Sequence, residues 1–213
     1  MEKRSQTMVK ICGVQSPAEA CAVLDLGADA VGVVVAADSP RRVSPATARS
    51  IAAVCDGRAV LVLRGGESDF RADIQSWAGP VQLHDPAVDL GRRFIHAGHL
   101  SMAKPPSQWI GQPCARLLDA PTAGSGTAWN WSAATDHACE LPIILAGGLT
   151  ADNVASAISI VMPWGVDVSS GVERTRGVKD LELVAAFIAA VRTCDVEAGR
   201  LLTPTPNGFR WLV

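Results

Sequence analysis

Residues 141–173 read LPIILAGGLTADNVASAISIVMPWGVDVSSGVE, two short apolar runs that each end in small residues and are joined by a helical pattern. Each run has the length and composition of a buried strand: Pro142-Ile-Ile-Leu-Ala stops at Gly147-Gly148, and Gly165-Val-Asp-Val stops at Ser169-Ser170-Gly171. Two neighbouring loops thus offer bare backbone N–H groups and hydroxyls. An anion such as phosphate is held by donors of this kind, because glycine leaves no Cβ in the way of close approach. Between the runs, Thr150 stands where a helix N-cap is expected, and Val154, Ile158 and Val161 fall on one helical face. The reading is strand, helix, strand, with Gly147, Gly148, Ser169, Ser170 and Gly171 as phosphate-binding candidates. Two ordinary glycine turns are the alternative; two such loops flanking one helix favour the anion site.

The same unit recurs toward the N-terminus. Met8-Val-Lys-Ile-Cys-Gly is a strand ending in glycine, and Ser16-Pro17 supplies a cap and first-turn proline for a helix to about Leu26. Ala30-Val-Gly-Val-Val-Val is an uninterrupted apolar run, the pattern of a strand covered on both faces. A helix from Ser44-Pro45 to about Val54, the strand Ala59-Val-Leu-Val-Leu and a helix from Ser68 to Trp77 follow. Val81-Gln-Leu-His and Phe94-Ile-His-Ala are strands four and five, with only a stunted helix allowed between Pro86 and Arg92, and at most one turn between Ser101 and Pro113, where Pro105-Pro106 and Gly111 intervene. Ala115-Arg-Leu-Leu-Asp is strand six, and a helix from Trp131 to Cys139 leads to the two strands of the opening stretch. A last helix, Asp180 to Thr193, places Leu183, Val184, Phe187, Ile188 and Val191 on one side.

Short apolar strands alternating with helical connections predict parallel pairing and an α/β fold, a single-domain (βα)8 TIM barrel with shortened fourth and fifth helices. An open doubly wound sheet is the alternative, but it places its glycine-rich phosphate turn after the first strand, whereas here the glycine loops follow the last ones. Residues 1–194 are expected to form the barrel and residues 195–213 a C-terminal extension of unassigned role.

The chain of 213 residues carries a net charge of -2, with 48% hydrophobic and 19% charged residues, which suits one well-buried core and gives no sign of a nucleic-acid partner. The basic N-terminus has no apolar run behind it, and no run approaches the roughly 20 residues needed to span a bilayer, so a cytoplasmic protein with no membrane partner is expected. The six cysteines include no C-x-x-C pair, which argues against zinc and against a disulfide scaffold.

In a barrel the reacting groups sit at the carboxyl ends of the strands. Cys12 ends strand one, and Lys10 shares its inward face, so a neighbouring ammonium is expected to lower the thiol pKa and favour thiolate, a proton acceptor; an inert buried cysteine is the competing reading. Asp119 ends strand six, where an apolar wall would keep it protonated as an acid, unless it caps a helix or pairs with Arg116. Arg41 and Arg42 offer forked geometry for a carboxylate. Gln82 and His84 share a face of strand four, His84 as base or as satisfied structural histidine. His96 and His99, three apart, lie on opposite faces and make a joint metal site improbable. Asp167 and Ser169 share one face, to touch a sugar hydroxyl or to order their loop. These residues describe a cofactor-free barrel enzyme for a small phosphorylated substrate.

Lys10-Ile-Cys-Gly, Ser39-Pro-Arg, Val81-Gln-Leu-His, Leu117-Leu-Asp-Ala, Leu145-Ala-Gly-Gly-Leu and Gly165-Val-Asp-Val-Ser-Ser-Gly-Val-Glu run in one order from residue 8 to about 193. In that set the chain resembles the phosphoribosylanthranilate isomerases, (βα)8 barrels of tryptophan synthesis. The resemblance implies an Amadori rearrangement of N-(5-phosphoribosyl)anthranilate to 1-(2-carboxyphenylamino)-1-deoxyribulose 5-phosphate without cofactor; no metal is expected, and the chain is expected to be a monomer or homodimer. It matches Cys12 to the general base, Asp119 to the general acid and Arg41 to the arginine that meets the anthranilate carboxylate. Lys10, Gln82, His84 and Asp167 complete the substrate-binding candidates, and Gly124, Ser125 and Gly126 join the phosphate loops. The chain also departs from the family pattern. Ala123-Gly-Ser-Gly-Thr-Ala-Trp-Asn-Trp stands where the family has Gly-Gly-Thr-Gly-Lys-Thr-Phe-Asp-Trp, which predicts weaker phosphate binding there. Val35-Ala-Ala-Asp and Val62-Leu-Arg64 replace other family segments around the aryl end. The same rearrangement on a different phosphoribosyl arylamine, or a non-catalytic phosphate-binding barrel, are the alternatives.

Overall fold

Strand β1 (Met8–Cys12), helix α1 (Pro17–Asp25), β2 (Ala30–Val34), α2 (Pro45–Val54), β3 (Ala59–Leu63), β4 (Val81–Leu83), β5 (Phe94–His99) and β6 (Pro113–Asp119) make the first part of the chain. A 3-10 helix (Trp131–His137), β7 (Ile143–Leu145), α3 (Val154–Val161), β8 (Gly165–Val168), the short strands β9 (Glu173–Thr175) and β10 (Val178–Lys179), and α4 (Leu181–Glu197) make the second. This computed structural model describes residues 6–64, 76–84, 91–99, 113–120, 129–137 and 141–200. The expected helix 68–77, the shortened fourth and fifth helices, the loop 124–126 and residues 201–213 lie mostly or wholly outside those residues.

The first eight strands pair in sequence order, all parallel, and β1 closes the ring on β8 with Lys10 opposite Asp167. This is the (βα)8 barrel that the alternation predicts. The closed ring leaves none of its strands with an unpaired edge. Alternation splits the core in two. Val9, Ile11, Val31, Val33 and Leu61 point outward and pack with Val184, Phe187 and Val191 of α4 and with Ile51 of α2. Met8, Cys12, Val34, Val62, Leu117 and Ile144 fill the lumen. Each fully buried Val, Leu, Ile or Phe stabilises by about 1.5–3 kcal/mol, so these two layers carry most of the fold's driving force.

Caps set the helix starts. Ser16 accepts the Glu19 N–H and Ser44 accepts the Thr47 N–H, as the Ser-Pro pairs predict. Thr150 is not a cap. Residues 151–153 form a turn and α3 begins at Val154, because the Asn153 side chain is spent on the loop: it accepts the Thr150 N–H at 2.8 Å and donates to the Gly148 carbonyl at 2.9 Å. The expected helix 131–139 is a 3-10 turn ending at His137. Asn130 starts it by accepting from the Ser132 hydroxyl at 2.7 Å, and Thr135 bonds back to the Ser132 carbonyl at 2.6 Å.

Helix α4 runs on past Thr193, and its end is tied under β1. Asp195 is fully buried and accepts from the Thr7 N–H at 2.8 Å and the Thr7 hydroxyl at 2.6 Å. Arg192 donates to the Thr7 carbonyl at 2.6 Å and to Asp29 at 2.8 Å, while Asp29 accepts the Val9 N–H. Among the described residues no helix is long and apolar enough to cross a membrane.

Candidate active site

The carboxyl ends of the strands surround a cavity of about 250 Å³ lined by Cys12, Gln82, His84, Asp119, Asp167 and Ser169, with Val34, Val62 and Leu117 as its apolar wall. Alternation puts them there: Cys12 and Lys10 both point inward from β1, Asp119 follows Leu117 from β6, and Asp167 and Ser169 follow from β8. Arg116, three residues before Asp119, lies on the opposite face of β6, so pairing with it does not explain Asp119. The Asp119 carboxylate instead accepts the Ala120 N–H at 2.7 Å and lines both this cavity and a smaller one beside it.

Lys10 is completely buried just below the cavity floor, its ammonium 2.8 Å from Asp167. Burial alone would pull its pKa down, but Asp167 and Cys12 outweigh that and the direction is up. Cys12 does not follow the expectation of a lowered thiol pKa. Burial pushes the thiol up, Lys10 opposes this, Asp167 adds to it and Lys179 opposes it, and burial wins. The resting group is therefore the neutral thiol.

At one end, Gly147 and Gly148 take φ of 84° and 68°, the left-handed region that glycine enters without penalty. They face Ser169, Ser170 and Gly171 across the smaller cavity, of about 60 Å³, with Asp119 and Asp167 on its inner side. Residues 170–172 form one 3-10 turn. The structure thus brings Gly147, Gly148, Ser169, Ser170 and Gly171 together as expected; Gly124, Ser125 and Gly126 lie outside the described residues.

At the other end, Asp38, Ser39, Pro40, Arg41, Arg64 and Arg176 line the larger cavity. The fork of Arg41 is occupied from within the chain: Nε meets Glu173 at 2.6 Å and Nη2 meets its other oxygen at 2.7 Å. Arg64 pairs with Asp38. Arg42 is exposed. His84 lies 3.0 Å from the Gln82 amide, and burial, with Lys10 and Arg64 near, lowers its pKa to about 4, so it is a neutral hydrogen-bonding group rather than a base poised near neutrality. His96 is buried on the outward face of β5, away from the cavity. Glu173 and Lys179 were not singled out by the sequence, yet they are the most connected charged pair at the site; their signal is a six-residue spacing around Gly177, a hairpin turn that puts both on one side.

The model of the family described as N-(5'-phosphoribosyl)anthranilate (PRA) isomerase matches residues 9–190. An N-(5'-phosphoribosyl)anthranilate isomerase of Halorubrum lacusprofundi is 39% identical over 202 residues, covering 85% of this chain and 94% of the relative. That of Haloferax volcanii is 37% identical over 210 residues, covering 88% and 94%. Among solved structures, TrpF from Jonesia denitrificans superposes with a TM-score of 0.75 at 36% identity, covering 91% of this chain and 100% of that one. A phosphoribosyl anthranilate isomerase in complex with reduced 1-(o-carboxyphenylamino)-1-deoxyribulose 5-phosphate superposes with a TM-score of 0.70 at 31% identity, covering 88% and 100%. With the family model matched over residues 9–190 and relatives 37–39% identical over most of the chain, the chain belongs to the N-(5'-phosphoribosyl)anthranilate isomerase family.

Proposed function

We infer that the chain is an isomerase of tryptophan biosynthesis that converts N-(5-phosphoribosyl)anthranilate into 1-(2-carboxyphenylamino)-1-deoxyribulose 5-phosphate, acting in the cytoplasm. The observation that carries the assignment of roles is that Cys12 and Asp119 line one cavity, with the glycine loops opening beside Asp119. The loops hold the 5-phosphate. Asp119, entering as the acid, gives its proton to the furanose ring oxygen as the C1–O bond breaks, and the nitrogen lone pair forms an iminium. Cys12 then takes the C2 proton, and the electrons of that C–H bond neutralise the iminium to give an enolamine. Protonation at C1 and loss of the C2 hydroxyl proton yield the ketone, so substrate and product are isomers and nothing is oxidised overall. The resting neutral thiol first gives its own proton to solvent and takes the C2 proton as thiolate, and the iminium charge that stabilises that thiolate appears only after ring opening, which fits this order.

Lys10 and Asp167 form the polar floor under the ribose, and Gln82 and His84 offer neutral hydrogen bonds to its hydroxyls. Arg41, held by Glu173, presents the remainder of its guanidinium to the aryl carboxylate. All of the described residues in this account come from one chain, whether it works as a monomer or a homodimer. A second reading, the same rearrangement on another phosphoribosyl arylamine, is favoured by the Arg64–Asp38 pair at the aryl end, where the strand departs from the family pattern.

Turnover of phosphoribosylanthranilate by the purified chain, followed by the fluorescence change of the aminobenzoate, tests the assignment, and a parallel assay on a phosphoribosyl aniline tests the second reading. Cys12→Ser and Asp119→Asn are each expected to lower turnover by a factor on the order of 10²–10⁴. Nearly full activity in either variant removes that residue from its role, and no turnover by the wild type removes the substrate.

A further inference from the structure

The hairpin β9–β10 carries a charged pair that reaches both ends of the cavity. Lys179, with its side chain 1% exposed, donates to the Ser169 carbonyl at 3.0 Å and to Glu173 at 2.8 Å, and lies 3.4 Å from the Ser169 hydroxyl. That hydroxyl donates in turn to the backbone carbonyl of Cys12 at 2.9 Å. Glu173, 3% exposed, takes both arms of Arg41 and the Gly177 N–H at 3.0 Å. One ammonium therefore ties a phosphate loop to the end of β1, and through Glu173 to the aryl-side arginine.

The charge count at this buried centre is uneven. Lys10, Arg41 and Lys179 are three cations, and Asp167 and Glu173 are two carboxylates. Of the other described groups lining the cavity with Cys12, His84 is neutral, Arg64 and Asp38 are exposed and pair with each other, Arg176 is exposed, and Asp119 is counted as the acid of the proposed mechanism. One buried positive charge remains, and an unbalanced buried charge is expensive unless an anion completes the site.

We propose that Lys179 is a positioning residue for the rearrangement: anchored by Glu173, it fixes Ser169 against β1 and supplies the excess positive charge that the Cys12 thiolate balances when it forms. The proposal rests on Cys12 being the base. Burial pushes the Cys12 thiol up, and Lys179 stands with Lys10 among the groups that oppose the rise. Glu173 acts the other way, since neutralising it would leave the centre still more positive.

Opposite substitutions separate this role from simple structural damage. The limb of kcat/KM that rises as the base loses its proton should move to higher pH in Lys179→Met, by about one unit, and to lower pH in Glu173→Gln. Lys179→Arg, which keeps the charge, should return the limb toward the wild-type position, and kcat in Lys179→Met should fall about 10-fold or more with a smaller change in KM. Alkylation of Cys12 by iodoacetamide at a series of pH values, read by peptide mass spectrometry, should shift in the same directions without any need for turnover. Limbs and alkylation profiles that stay in place, or that move the same way in both variants, overturn the proposal. If Lys179→Met does not fold, Glu173→Gln and Lys179→Arg still carry distinct expectations, a limb moved to lower pH in the first and one near the wild-type position in the second, and any other result overturns the proposal. Full activity in Cys12→Ser would remove the base itself, while the alkylation profiles would still report whether Lys179 controls the thiol.

Discussion

The thiol of Cys12 has almost no free space on its β2 side. Gly32 is its register partner there, and a Cβ at Gly32 would stand 2.6 Å from the sulfur and 3.0 Å from the Cys12 Cα. The three nearest atoms that the added Cβ would meet all belong to Cys12, so Gly32→Ala acts first on that residue. We expect it to cost about 1–3 kcal/mol from overpacking, read by urea unfolding, and to lower kcat at least 10-fold because the proposed base is displaced. Cys12→Ala in the Gly32→Ala background should recover stability and remain inactive, whereas full kcat in Gly32→Ala would mean that the thiol takes no part. The inward positions of Cys12, Asp119, Asp167 and Ser169 were legible from strand alternation. The direction of the Cys12 pKa was not, because burial by the closed barrel and the charge of Asp167, 155 positions further along, exist only in three dimensions. Glu173 and Lys179 escaped for the same reason: their meaning lies in contacts with Arg41 and Ser169, which no local spacing reveals.

The glycine loop between β7 and α3, the proposed phosphate site, is braced by one side chain. Asn153 accepts the Thr150 N–H and donates to the Gly148 carbonyl, which sets the backbone of Gly147 and Gly148 before any anion arrives. Asn153→Ala removes both bonds on an exposed-side turn and leaves α3 itself intact. The expected result is a KM for phosphoribosylanthranilate raised roughly 5- to 10-fold with kcat within about 2-fold, and a stability loss near 1 kcal/mol; an unchanged KM would show that the loop needs no such brace. The strands were readable as apolar runs bounded by glycine, and the two Ser-Pro caps as pairs. Thr150 misled as a cap because residues 151–153 form a turn braced by the Asn153 side chain and the helix starts only at Val154, and the segment 131–137 misled because serine, threonine and asparagine side chains bond to the local backbone in place of a full helical ladder.

The closed barrel buries histidines as well as ions, and that fixes how the whole molecule responds to acid. Burial, with Lys10 and Arg64 nearby, lowers the His84 pKa to about 4, and burial, with Arg116 and His84 nearby, lowers that of His96 to about 4. A depressed folded-state pKa means that the unfolded chain binds the proton first. The stability these neutral rings confer is complete above about pH 6.5 and is lost as pH falls toward 4. Glu173 follows in a second window. Burial would raise it, but Arg41, Lys179 and the Gly177 N–H bring it down to about 2, so its contribution is present above about pH 4.5 and lost as pH falls toward 2. Urea midpoints measured from pH 7 to 2.5 should therefore fall in two stages, the upper, carried by two rings, about twice the lower, which is on the order of 2 kcal/mol in unfolding free energy. His84→Gln should shrink the upper stage by about half, leaving the part that His96 carries, and Glu173→Gln should flatten the lower one. A midpoint that holds constant from pH 7 to 4 would mean that the rings are protonated without cost inside the barrel, and with it would go the description of His84 as a neutral hydrogen-bonding group at the floor of the site.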